Sequence, residues 1–151
     1  MTPRLASAED ANWIIALIRR VFAEHDGRID PPSSMHRMTV ADVQAQMTDG
    51  EIWVIGQEAC LFLTPQEEAL YLSKLTVAPE ARGKGYARLL VRQADCHAQA
   101  LGKPRLRLQT RVELTDNHAI FRAFGFEQVG STRHSGFDRT TSLTFERPVK
   151  S

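Results

Sequence analysis

The sequence predicts a mixed α+β protein, a central and mostly antiparallel sheet flanked by about four helices. Three observations carry that expectation. Strand-like runs at 52–56, 59–64 and 69–77 follow one another with only turns between them, a helical repeat of apolar residues occupies 87–101, and two more strand-like runs close the chain after residue 125. The chain has 151 residues and no internal repeat, low-complexity tract or linker, so one domain over 1–151 is expected.

Arg4-Leu5-Ala6 reads as a short strand, and Ser7 or Ala8-Glu9-Asp10 opens a helix whose apolar positions Ile14, Leu17, Ile18, Val21 and Phe22 keep helical spacing. Residues 25–38, with Gly27, Pro31, Pro32, Ser33 and Ser34, compose a loop, after which Thr39 caps a helix over Ala41–Met47. The three strands of the meander come next. Ala87, Leu90, Val91, Ala94, Ala98 and Leu101 then recur every three or four residues until Gly102 stops the helix. Arg105–Thr110 alternates as a strand, Asp116–Phe124 forms a short helix, and Phe126–Gly130 pairs with Thr141–Phe145.

Composition narrows the function. Apolar residues at 42% and charged residues at 25% leave no case for disorder or a coiled coil. No run approaches a membrane span and no signal-like segment opens the chain, so a cytoplasmic protein without a membrane partner is expected. Cys60 and Cys96 lack CxxC spacing and read as buried small hydrophobes. Asp95-Cys96-His97 cannot share a helix face and no second ligand pair exists, so no metal is expected. His118 reads as a surface residue.

Charge is unevenly spread. Residues 1–73 hold five Lys/Arg against eleven Asp/Glu, residues 74–111 hold nine against two, and the last forty balance, which leaves no basic arm for nucleic acid. The basic segment contains its own candidate site. Ala78-Pro79-Glu80-Ala81-Arg82-Gly83-Lys84-Gly85-Tyr86-Ala87 joins a strand to the long helix, and its glycines let backbone N–H groups converge where the helix presents its positive end. Arg82, Lys84 and Arg88 add formal charge, so a pyrophosphate is the expected ligand. The spacing fits neither the nucleoside-triphosphate P-loop nor the dinucleotide fingerprint.

Arg82-Gly83-Lys84-Gly85-Tyr86-Ala87, between a strand and a helix, resembles the acyl-CoA signature Gln/Arg-x-x-Gly-x-Gly/Ala of the GNAT superfamily of N-acetyltransferases. The opening Arg4–Ala11, the stretch Val77-Ala78-Pro79-Glu80 and Asn117 through Gly125-Phe126 extend the resemblance over nearly the whole chain. It implies a twisted, mostly antiparallel sheet in which the strand before the loop splays from the next. The pantetheine arm of acetyl-CoA would lie in that gap on Leu75, Thr76 and Val77, the pyrophosphate on the amides from Gly83 through Arg88 beside Arg82, and the thiol end near Asn117 and Phe121. Leu106 and Leu108 would form the other wall.

The sequence departs from the family at two positions. Where many members carry a proton-donating tyrosine before Gly-Phe, this chain has Phe121, and where some carry a basic glutamate it has Tyr71. A thiol pKa of about 8.5 makes the thiolate a fair leaving group without an acid. Tyr71 and Ser73, two apart and so on one strand face, would hold a water that relays the amine's proton. A backbone N–H at Leu75 would serve as oxyanion contact. Glu24, His25, Asp26, His36, Arg111, Glu113 and His134 are further polar residues near the acceptor end. The resemblance thus implies an acetyl-CoA-dependent N-acetyltransferase in which a primary amine of a small molecule or peptide attacks directly in a ternary complex. The acidic first half favours a cationic acceptor. A non-catalytic acyl-CoA-binding sensor or regulatory module is the alternative, favoured by the missing tyrosine and glutamate. Strand edges make a homodimer reasonable.

Overall fold

A computed structural model describes residues 2–25, 28–30 and 37–150. Strands β1 (Arg4–Leu5), β2 (Glu51–Ile55), β3 (Ala59–Pro65), β4 (Ala69–Val77), β5 (Arg105–Arg111), β6 (Glu127–Thr132) and β7 (Ser142–Pro148) form one sheet in the order β1-β2-β3-β4-β5-β7-β6. Every neighbouring pair is antiparallel except β4 and β5. Among the described residues, four α-helices flank it: α1 (Ala11–Phe22), α2 (Val40–Asp49), α3 (Tyr86–Leu101) and α4 (Thr115–Ala123). The mostly antiparallel α+β architecture expected from the sequence is the one observed. None of the described helices is long and apolar enough to cross a membrane.

Local chemistry explains where the helices begin. A 3₁₀ turn over Ala8–Asp10 precedes α1, and Asp10 closes a capping box with Ser7 while accepting the forked Arg4 guanidinium at 2.8 and 3.0 Å and Trp13 Nε1–H at 2.8 Å. These donors, Arg4 above all, hold the Asp10 carboxyl well below the usual carboxylate range. A depressed folded-state pKa means stability that is present above the unfolded value, near pH 4, and lost as pH falls toward the folded one. Asp10→Asn is therefore expected to cost about 1 kcal/mol at pH 7, with the gap from wild type shrinking below pH 4 in denaturant titrations. Thr39 caps α2 by accepting from Asp42 N–H, and Asp42 accepts from Thr39 N–H in return.

The two faces of the sheet are covered by different helices. Thr64, which takes Gln46 of α2, and Glu51, which meets His97 of α3, sit on opposite faces because Glu51 pairs with Leu63. Ile14, Leu17, Ile18 and Val21 of α1 and Leu90, Val91, Ala94 and Ala98 of α3 supply the buried stripes. An ion pair completes the docking of α3, with Arg147 of β7 forking onto Asp95 at 2.8 and 2.8 Å.

Several sequence expectations change. Cys60 is buried, but Cys96 is exposed, because the buried stripe of α3 passes through Asp95 instead. His118 is buried, not superficial: its Nε2 meets the Arg111 carbonyl at 2.9 Å and its ring lies 5.7 Å from Phe145. The closing strands start one residue later than expected and run on to Thr132 and Pro148, with β7 between β5 and β6. Most of the loop expected over 25–38, including Asp26 and His36, lies outside the described residues.

Candidate active site

β4 and β5 run side by side from Ala69 opposite Arg105 to Leu72 opposite Leu108, and then part. β4 continues against β3 and β5 against β7. The cause lies within β4. Cys60 faces Thr76 while Phe62 faces Ser73, so two steps along β3 are matched by three along β4, and the extra residue bulges at Lys74-Leu75. Lys74 adopts φ +54°, a left-handed conformation that costs a residue with a Cβ about 1 kcal/mol or more. Thr76 Oγ1–H donates to the displaced Lys74 carbonyl at 2.8 Å, and Cys60 Sγ approaches it at 3.7 Å. Burial pushes the Cys60 thiol up to about 12, so this cysteine is a buttress and not a nucleophile.

Two clefts open from the gap. The larger, 760 Å³, runs from Leu75 and Val77 to Arg82, Gly83 and the stretch Gly85–Arg88. The smaller, 310 Å³, is lined by Ser73, Lys74, Gln109, Thr110, Arg111 and His134. Leu75, Asn117 and Phe121 line both, so the two volumes meet at the bulge.

At the far end of the larger cleft, Gly83 and Gly85 adopt φ +86° and +82°, values that glycine reaches without strain. Gly85 is the N-cap of α3 and brings no side chain to cap it, and the first backbone bond of the helix runs from Leu89 N–H to the Gly85 carbonyl at 3.1 Å. The first-turn amides ahead of Leu89 form an anion-binding geometry. Arg82 forks onto Glu24, its closer contact 2.6 Å, Lys84 lies 3.6 Å from Glu58, and Arg88 sits 5.3 Å from the Phe124 ring centroid.

Most of the residues singled out in the sequence converge here. Thr76, Lys84 and Glu113 line neither cleft: the Thr76 side chain is buried against its own strand, Lys84 is drawn toward the β2–β3 turn, and Glu113 meets Arg139. The His25 side chain lies outside the described structure. Leu106 belongs to the zipped part of the sheet, opposite Leu70, so the second wall starts at Leu108. Tyr71, opposite Thr64, and Ser73, opposite Phe62, share the face covered by α1 and α2. Ser73 lines the smaller cleft and Tyr71 stands just before the strands part. Burial raises the Tyr71 phenol pKa, partly offset by a hydrogen bond with the Gln109 backbone, so it is protonated at neutral pH.

Sequence reasoning missed Lys74 and Thr110. Nothing in a run of alternating strand residues marks a lysine as the bulge, and Thr110 becomes notable only because its buried hydroxyl has no hydrogen-bond partner. The charge asymmetry also resolves differently. Glu24, Glu58 and Glu68 of the acidic half pair with Arg82, Lys84 and Arg105 of the basic segment, so much of the field is consumed in holding the fold. Asp95, Cys96 and His97 point to Arg147, to solvent and to Glu51, and no metal-binding group of three such residues occurs among the described residues.

Residues 48–128 match the family model described as an acetyltransferase (GNAT) domain. The chain belongs to the GNAT acetyltransferase family. No curated protein sequence matches it. Among solved structures, a Streptococcus mutans protein superposes with a TM-score of 0.80 at 12% identity over 99% of this chain and 100% of its own. A GNAT-family acetyltransferase from Staphylococcus aureus gives 0.78 at 13% identity, covering 99% of each chain. A putative acetyltransferase from Salmonella typhimurium, solved with its cofactor acetyl-CoA, gives 0.71 at 17% identity, covering 100% of this chain and 95% of that one. At these identities the shared property is the GNAT fold. In this GNAT chain Phe121 brings a phenyl ring, without a hydroxyl, to the junction of the two clefts.

Proposed function

We propose that the chain is an N-acetyltransferase that moves the acetyl group of acetyl-CoA to a primary amine in a ternary complex. The observation that carries this reading is the parting of β4 from β5 beyond Leu72 and Leu108, which opens one cleft toward the α3 N-terminus and a second on the far side of the bulge. Acetyl-CoA in the Salmonella relative supports the same donor here.

In this reading the amides from Gly83 through Arg88 hold the pyrophosphate, Leu75 and Val77 pair with the pantetheine arm as an added strand would, and Asn117 and Phe121 flank the thioester. The neutral amine enters from the smaller cleft and attacks the thioester carbonyl. As the C–N bond forms, negative charge on the oxygen is met by the Leu75 N–H. The C–S bond then breaks with its electron pair on sulfur. The nitrogen's surplus proton passes to a water held by Ser73 and Tyr71. With a thiol pKa of about 8.5, the thiolate departs without an acid, which is why a phenyl ring at Phe121 is tolerated.

Calorimetric titration with acetyl-CoA, CoA, ATP and NAD tests the donor site. Binding of acetyl-CoA and CoA without ATP or NAD is expected, and a folded protein that binds none of them contradicts the proposal. The hydroxyl-free junction at Phe121 favours one second reading, an acyl-CoA-binding module that does not turn over. Such a module would bind the donor and release no thiol with any amine.

A further inference from the structure

The strain in β4 falls on a lysine. Side chains alternate along a strand, so a regular β4 would turn Lys74 away from Tyr71 and Ser73, toward the face that α3 covers. The bulge changes that. With Lys74 at φ +54°, its ammonium lies 5.1 Å from the ring centroid of Phe62, the residue opposite Ser73, and so on the face where Ser73 and Tyr71 stand. Lys74 and Ser73 line the smaller cleft together, and Lys74 is not part of the larger one. Backbone strain held beside a cleft marks a side chain whose aim matters there.

The surroundings of that side chain set its affinity for a proton. Among the described residues no hydrogen bond or ion pair ties the Lys74 Nζ. Burial pulls its pKa below the ordinary lysine value, and the opposing attractions of Cys60 on β3 and Asp42 on α2 are smaller. Cys60 is a neutral thiol at neutral pH, and the Asp42 carboxylate takes the Thr39 N–H at 2.8 Å in the α2 cap. Tyr71, on the same strand, is a protonated phenol. Across the cleft stand Arg111 of β5 and His134 of the β6–β7 hairpin, while α1 contributes the uncharged Phe22 ring. A lysine so placed carries a larger neutral fraction, and only the neutral amine has a lone pair with which to accept a proton.

Resting on the acetyltransferase reading, we propose that the Lys74 ε-amine is the proton acceptor of the transfer, taking from the water held by Ser73 and Tyr71 the proton that the attacking amine gives up. As the C–N bond forms, an N–H bond of the attacking amine breaks toward the water. The water passes a proton on, and Lys74 Nζ gains an N–H bond and becomes an ammonium. The thiolate leaves with the electron pair of the C–S bond, so one anion and one cation appear together. Once the products depart, Lys74 returns its proton to solvent. Lys74 thus supplies the base that Tyr71, a protonated phenol, does not.

The pH dependence of kcat for thiol release tests this inference, at saturating acetyl-CoA and with two primary amines of different basicity that the wild type acetylates. The wild-type kcat is expected to climb with pH and level off above the Lys74 pKa, with the same midpoint for both amines, since the titrating group belongs to the protein. Lys74→Met, which keeps an unbranched side chain over Phe62, should lower the plateau by about 100-fold and abolish the rise. Lys74→Arg should be as slow, because a guanidinium keeps the charge and accepts no proton. The calorimetric Kd for acetyl-CoA should be unchanged in both variants, which also verifies that they fold, and the wild-type profile decides even where a variant does not. A midpoint that moves with the amine's own pKa overturns the inference, as does a Lys74→Met kcat near that of wild type. Lys74→Arg activity near wild type overturns it too, by assigning Lys74 a fixed charge. Failure of the acetyltransferase reading looks different: the wild type itself binds no acetyl-CoA, or releases no thiol with any amine, and both proposals fall.

Discussion

Gly85→Glu is expected to weaken acetyl-CoA binding by at least about 100-fold while leaving the protein folded. A Cβ built at Gly85 meets nothing within 4 Å, so the variant suffers no clash. Its cost is conformational, about 1–2 kcal/mol for a side chain at φ +82°, and a carboxylate at a helix N-terminus returns about 0.3–1 kcal/mol of that. The same carboxylate occupies the anion position and repels a pyrophosphate. Losing one or two charge-assisted hydrogen bonds, each about 1.5–3 kcal/mol, gives the expected factor. Gly85→Ala carries the strain without the charge and should bind within about tenfold of wild type, as about 1.4 kcal/mol corresponds to tenfold. Calorimetry on the three proteins, with circular dichroism to verify folding, decides it. Unchanged affinity in Gly85→Glu would remove the pyrophosphate from this turn.

Asp95→Ala is expected to produce the largest loss of stability, about 3–5 kcal/mol, by leaving a buried guanidinium without its counter-charge. The side chains of Arg147 and Asp95 are only 4% and 9% exposed, their two contacts are both 2.8 Å, and Asp95 also accepts the Lys150 N–H at 3.0 Å. Arg147 further lies 5.1 Å from the Phe126 ring centroid, so the pair ties α3 to β7 and to the chain's C-terminal stretch. At about 2–4 °C per kcal/mol for a chain of this length, Tm should fall by about 6–20 °C. The double variant Asp95→Leu/Arg147→Met should regain most of it, because two apolar side chains leave no charge to solvate. A loss below about 1 kcal/mol in Asp95→Ala would mean that water reaches the guanidinium.

What the sequence disclosed divides along physical lines. Features set by neighbouring residues were legible: the apolar stripe of α3, its stop at Gly102 and the glycine turn at 83–85 all follow from local conformational preference. The parting of β4 and β5 was reached through the resemblance of Arg82–Ala87 to an acyl-CoA signature, since alternation in 69–77 and 105–110 reports strands but not where their pairing ends. The bulge left no mark because its left-handed residue is Lys74, where a glycine would have signalled one. Asp95 could have been flagged, four residues past Val91 on the buried face, yet its partner Arg147 is 52 residues away and no local pattern identifies it. The polarity of the smaller cleft escaped for the same reason. Charge counted along the chain reported an acidic half, whereas folding set Glu24 on Arg82 and Glu58 on Lys84 and placed Lys74 and Arg111 among the side chains that line the smaller cleft.

Acetyl transfer is read out as thiol release from acetyl-CoA in the presence of a panel of primary amines, with mass spectrometry of the amine. Thiol is expected to be released only when an acceptor amine is present, in step with a product carrying an amide-linked acetyl group. Tight binding of acetyl-CoA with no amine-dependent thiol release would contradict it and leave the chain an acyl-CoA-binding module.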